Sequence, residues 1–143
     1  MPDVRHSAAT EAGRALAFPR AARLKRRRLI RPLFDRTRDD VGTVAVGCGR
    51  LLYRTVPRAQ TGYGVPVQVG FAPGRVRTAV LRNRIRRLLR EVYRVHQHTL
   101  VDLFAHRPET LTVMILFRGR PETAAACIPR DVPQALERLA GQV

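Results

Sequence analysis

The chain has no tryptophan, a single lysine (Lys25), two cysteines and only 11 acidic residues in 143. Each scarcity removes a class of protein. Cys48 and Cys127 stand far apart with no histidine at ligand spacing, so neither a zinc module nor a disulfide framework is expected. Cys48 lies in an apolar, glycine-flanked run and reads as a small buried thiol in a reducing cytoplasm. No stretch approaches the roughly 18 uninterrupted apolar residues of a membrane span. The first residues lack the apolar core of a signal peptide, and Asp3 and Glu11 argue against a transit peptide. They read as a disordered tail over 1–20, ahead of a single domain over 21–143.

Catalytic signatures are missing as well. There is no nucleophile elbow, phosphate-cradling glycine loop, zincin helix or pair of catalytic carboxylates. His98, Asp102 and His106 share a helical spacing, but they read as helix surface rather than as a metal or acid–base set. No catalytic residue and no metal ligand is expected in the protein itself.

What the chain has in abundance is cation. Twenty-seven Lys+Arg against 11 Asp+Glu give a net charge of +16, which calls for a polyanionic partner. Apart from Lys25 this charge is arginine, whose planar fork pairs phosphate oxygens and stacks on bases. A hydrophobic content of 45% is enough for a core.

The pattern along the chain is mixed. "RAARLKRRRLIRPLFDR" (20–36) has helical spacing and is predicted to kink or restart near Arg31 and Pro32, since proline lacks the N–H a helix needs. "TVAVGCGRLLYRTV" (43–56) reads as a strand bent at its glycines, and "VPVQVGFAP" (65–73) as a half-buried strand. "TLTVMILF" (110–117) is apolar nearly throughout and should be a central strand. "RGRPETAAACIPR" reads as a loop, and 131–143 as a last helix with Asp131 as N-cap, Pro133 in the first turn and Gly141 at its end. The order implies an α+β sandwich, a sheet covered by helices.

The most informative segment is "AVLRNRIRRLLREVYR" (79–94). At about 100° per residue, Leu81, Ile85, Leu88, Leu89, Val92 and Val95 share an apolar arc. Asn83, Arg86, Arg87, Arg90 and Arg94 lie opposite, with Arg82 and Arg84 on the flanks. Like charges at (i, i+4) cost an isolated helix a few tenths of a kcal/mol per pair. A ridge that tolerates this repulsion suits phosphates. Its position directly after a strand favours a platform for structured RNA over a DNA-reading helix. Phe34, Tyr53, Tyr63 and Phe71 are the aromatics near cations that could stack bases; Phe34 and Tyr53 are bracketed by arginines.

"LRNRIRRLLREVYR" (81–94) closely resembles the basic helix of the bacterial ribonuclease P protein component. "VPVQVGF" is similar to the strand that enters that helix, "LKRRRLIRPLF" (24–34) to the family's first basic helix, and "GRLLYRT" and "TLTVMILFRG" follow in family order. The resemblance implies a ribosomal S5 domain 2-like mixed sheet with a left-handed βαβ crossover. It implies a protein that docks on the ribonuclease P RNA subunit and assists endonucleolytic 5′ maturation of precursor tRNA, with Mg2+ held mainly by the RNA. Carried across, Arg75, Arg77, Arg82, Asn83, Arg84, Arg86, Arg87 and Arg90 would bind the catalytic RNA. Arg28, Arg31, Phe34 and Tyr53 would line a cleft for the leader of the precursor tRNA. "APGRVRTAVLRNR" lacks the Gly-Asn that many members carry before the helix, and neither a membrane nor an obligate protein partner is implied. The alternative is a ribosomal or assembly-type RNA-binding protein with no part in tRNA cleavage.

Overall fold

In the computed structural model, which describes residues 18–143, four strands form one mixed sheet in the order β1-β2-β4-β3. They are β1 (Gly42–Val46), β2 (Gly49–Pro57), β3 (Val67–Ala72) and β4 (Glu109–Phe117). β4 is central, as its unbroken apolar run requires, because both of its faces are covered. It runs antiparallel to β2, with Tyr53 opposite Val113, and parallel to β3, with Val69 opposite the same Val113. The parallel pair is joined through α2 (Ala79–His96) and α3 (His98–Phe104), described below.

The segment expected as one bent strand is a hairpin. Gly47 takes φ +53°, a value that glycine reaches without steric cost, and the chain reverses at Gly47–Cys48 between β1 and β2. The two glycines mark the turn and the first residue after it.

Alternation along the strands splits the core in two. Leu51, Val69, Val113, Ile115 and Phe117 face α2, α3 and the last helix, α4 (Ala124–Gln142). Leu52, Val56 and Met114 face the other way, against Leu24, Leu29 and Leu33 of the N-terminal basic segment. That segment is less helical than its spacing suggests. Arg20–Ala22 is a 3-10 turn and Arg23 bridges to Val69 in parallel. Only Arg27–Ile30, α1, is α-helical before a 3-10 turn over Arg31–Phe34 with Pro32 near its start. The restart at Arg31 agrees with the sequence; the extended 23–26 does not, because main-chain pairing to β3 outcompetes helix propensity there.

The C-terminal helix corrects the sequence reading more sharply. It begins at Ala124, not Asp131, passes through Pro129 and Pro133, and includes Gly141. Ala124, Cys127, Ile128, Asp131, Val132, Ala135, Leu136 and Leu139 are buried at one continuous helical spacing. Burial of that face outweighs the main-chain bonds the prolines remove. Asp131 is therefore not an N-cap but a buried mid-helix side chain.

Two further expectations change. Cys48 is buried as expected but is joined to Cys127 in a disulfide, with Cα atoms 6.3 Å apart across 79 positions of sequence. Only the fold brings such distant residues together. Residues 1–17 of the expected tail lie outside the described residues, whereas Phe18 packs on Phe71 and Tyr93 at ring distances of 5.5 and 5.8 Å.

Candidate nucleic-acid interface

α2 is seated by Ile85, Leu89 and Tyr93, each one turn after the last, and started by the Thr78 hydroxyl, which accepts the Leu81 N–H at 3.3 Å. Tyr93 replaces Val95 in the apolar stripe; Val95 is 46% exposed. Burial pushes the Tyr93 phenol well above its usual range, so it stays neutral.

The arginines of the helix divide by what they touch. Arg82 is half-buried, and its guanidinium donates to the carbonyls of Val76 (3.1 Å) and Arg77 (2.9 Å), fastening the loop before the helix. Arg86 donates to Asn83 Oδ1 at 3.3 Å. Arg94, expected on the open ridge, pairs with Glu91, whose carboxyl it holds below its ordinary value. Arg84, Arg87 and Arg90 are exposed, and among the described residues none has an ion pair. The ridge is real, with these three as its uncompensated part.

The loop that carries Arg75 and Arg77, both exposed, crosses the end of β4 at Gly74. A Cβ at Gly74 would lie 2.4 Å from the Phe117 carbonyl oxygen, and the residue takes φ +76°, so glycine is required twice over. This glycine lets the two arginines lead directly into the α2 ridge.

On the opposite face of the sheet, a groove of about 330 Å³ opens beside the 3-10 turn that ends at Phe34. Leu52 and Leu116 form part of its lining, Phe34 stands 48% exposed, and Arg36 and Arg50 also line it. Asp35 is the acid in the lining, its carboxylate accepting the Thr37 N–H at 3.0 Å, and Asp40 lies on the same loop. Asp40 receives Arg38 and Arg54 at 2.8 Å each, and both hold its carboxyl far below the usual range.

The leader cleft expected from sequence is only partly assembled. Arg31 is exposed on the same segment as Phe34, and Arg28 is tied to the Gln60 carbonyl at 2.6 Å. Tyr53 lies on the other side of the sheet, its hydroxyl donating to Gln142 of α4 at 2.6 Å and its ring lying across Gly42. Strand alternation is the reason: Arg50 and Leu52 line the groove, and Tyr53, between Leu52 and Arg54, points to the other face. The same rule, applied with Leu52 as the inward residue, would have found Arg50.

His98 and Asp102 lie one turn apart on α3, but α3 ends at Phe104, so His106 falls beyond it and the three do not share one helical face. Among the described residues, the only grouping of three potential metal donors is Cys48, Cys127 and Asp131, all buried, and two of its donors are spent in the disulfide.

Comparison with known proteins places the chain in a family. The family model Ribonuclease P matches residues 18–140. The ribonuclease P protein components of two Porphyromonas gingivalis strains are each 33% identical over 116 residues, covering 74% of this chain and 82% of theirs. The structure of the Staphylococcus aureus RNase P protein is similar with a TM-score of 0.57 at 16% identity, over 82% of this chain and 94% of that one, a likeness of fold. With a family match that begins where the described residues begin and runs almost to the end of α4, the chain belongs to the ribonuclease P protein family.

Proposed function

We propose that the protein docks on the ribonuclease P RNA through the α2 ridge and its preceding loop, and holds the unpaired leader of precursor tRNA in the Phe34 groove. The observation that carries this reading is the run Arg84, Arg87 and Arg90. These cations project from a helix whose other side is locked in the core, with no carboxylate paired to them among the described residues. Unneutralised arginines on a seated helix pair phosphate without first breaking an internal ion pair. The groove supplies one exposed aromatic ring with cations beside it, which suits a single strand.

In this reading the protein breaks no bond. RNA-held Mg2+ supplies the chemistry of hydrolysis, and the protein offsets repulsion among leader, tRNA and catalytic RNA. Neutralising roughly 6–8 phosphates would make affinity fall by several orders of magnitude between low and moderate salt.

The test is precursor-tRNA cleavage by the cognate ribonuclease P RNA at low Mg2+, with and without the protein. A large rise in turnover, with product ending at the mature 5′ end, supports the reading. No rise from a folded, RNA-binding protein removes it and points to another RNA.

A further inference from the structure

A second recess lies at the other end of the basic segment from Phe34, where nothing in the reading above places a ligand. It measures about 100 Å³ and is lined by Arg20, Arg23, Lys25 and Arg26 on one side and by Thr61 and Tyr63 on the other. We propose that this recess is a subsite for one unpaired nucleotide, its base against the Tyr63 ring and its phosphate against Arg20, Lys25 and Arg26. The proposal rests on the RNA-binding role just argued and extends the path of a single strand beyond the Phe34 groove.

The main chain of both walls is held in place before any ligand arrives. The basic wall is pinned to β3 by its main chain: Leu24 N–H donates to the Val69 carbonyl at 3.0 Å, and buried Gln68 donates through Nε2 to the Ala21 carbonyl at 2.9 Å. The aromatic wall is a turn. Thr61, fully buried, accepts the Tyr63 N–H at 3.2 Å, with the carbonyls of Arg58 and Tyr63 at 2.8 and 2.6 Å from its hydroxyl. Gly62 follows in the left-handed region at φ +76°. The Arg26 guanidinium crosses this glycine, and its carbon sits 6.0 Å from the Tyr63 ring centroid. A main chain already ordered loses little further entropy when a ligand binds.

The chemistry points to a nucleotide rather than to a bare anion or a duplex. Among the described residues, none of the four cations has an ion pair, and no carboxylate lines the recess. Arg23 Nε is buried without a hydrogen-bond partner. Tyr63 is 48% exposed, although a ring of this size is usually covered when its only role is packing. An aromatic face beside unneutralised cations is what a splayed base and its phosphate require, whereas a duplex offers no free base face. Arg26 at the start and Phe34 at the end bracket the short helical stretch Arg27–Phe34, so one strand following it would meet a ring at each end.

Lys25 makes the site directly readable, because it is the only lysine in the chain and is exposed. Its acetylation by an N-hydroxysuccinimide ester can be followed by mass spectrometry in the full-length protein, with hexauridylate or a hairpin duplex of equal charge added. The expected result is at least tenfold slower acetylation with hexauridylate than with the duplex. That protection should be lost in Tyr63→Ala and kept in Tyr63→Phe. Equal protection by the duplex, or full protection in Tyr63→Ala, overturns the subsite. In the complete ribonucleoprotein, protection that disappears when the leader is trimmed from the precursor assigns the nucleotide to the substrate; protection that persists assigns it to the catalytic RNA. Tyr63-dependent protection in a protein that fails to stimulate cleavage would leave the subsite standing and remove the ribonuclease P mechanism. Stimulation of cleavage with Lys25 fully reactive would do the reverse.

Discussion

The carboxylate of Asp131, in the middle of α4, accepts the backbone N–H of Cys48 in the β1–β2 turn at 3.0 Å. The same carboxylate takes Arg130 Nε at 2.9 Å, and these two donors, Arg130 foremost, hold its pKa below the ordinary 3.8. A folded-state pKa below the unfolded one contributes stability that is complete above the unfolded value and is lost as pH falls through the folded one. Asp131→Asn should therefore lower the melting temperature at pH 7, with the difference from wild type shrinking below about pH 4. Thermal melts at pH 7 and pH 3 measure it; an undiminished gap at pH 3 would show that the charge is not what matters.

The Cys48–Cys127 bond closes a loop of 79 positions over the same corner. Reduction should cost about 2–4 kcal/mol of stability, mainly through the entropy regained by the unfolded chain. Denaturant titrations with and without a dithiol will show it, and Cys127→Ala should make the protein indifferent to the reagent.

Leu88 and Leu89 are adjacent on α2 but unequal. Leu89 is fully buried, whereas Leu88 is only partly so. Leu89→Ala should cost about 2–5 kcal/mol and Leu88→Ala distinctly less, as read from urea unfolding. Equal losses would mean that the helix is rotated from its assigned seat.

The arginines of α2 should separate into two groups. Arg84→Ala, Arg87→Ala and Arg90→Ala should each weaken RNA binding and reduce the salt slope by about one, with the melting temperature unchanged. Arg82→Ala should lower the melting temperature as well, since its guanidinium ties down the carbonyls of Val76 and Arg77. Filter binding over a salt series, paired with melts, gives both readouts.

Legibility in the sequence followed the range of the interaction involved. β4 and α2 were readable because their signals are local: an unbroken apolar run, and a 3.6-residue repeat. The start of α4 was hidden behind Pro129 and Pro133, whose local cost suggests a loop while tertiary burial of Ala124, Cys127 and Ile128 decides for helix. Tyr53 was misplaced relative to Phe34 because a strand's inward face is set by its partners, and a shift of one residue reverses every side chain. The extended course of 23–26 depends on β3, more than forty positions away in sequence. The three open arginines of the ridge were in view, but which of its other arginines were engaged was not, since that turns on carbonyls and a carboxylate placed by the fold.

The pairing of Arg23 and Leu24 with Val69 is made by peptide groups, not by the side chains they carry. Shape and charge are thus decoupled along this border of the sheet. The backbone secures the segment, so the exposed residues at positions 20, 25 and 26 can be rewritten to suit a different RNA while the architecture beneath them stays the same. Drift in the partner could be followed here by point changes alone, in a protein whose helix-covered face would tolerate no such freedom.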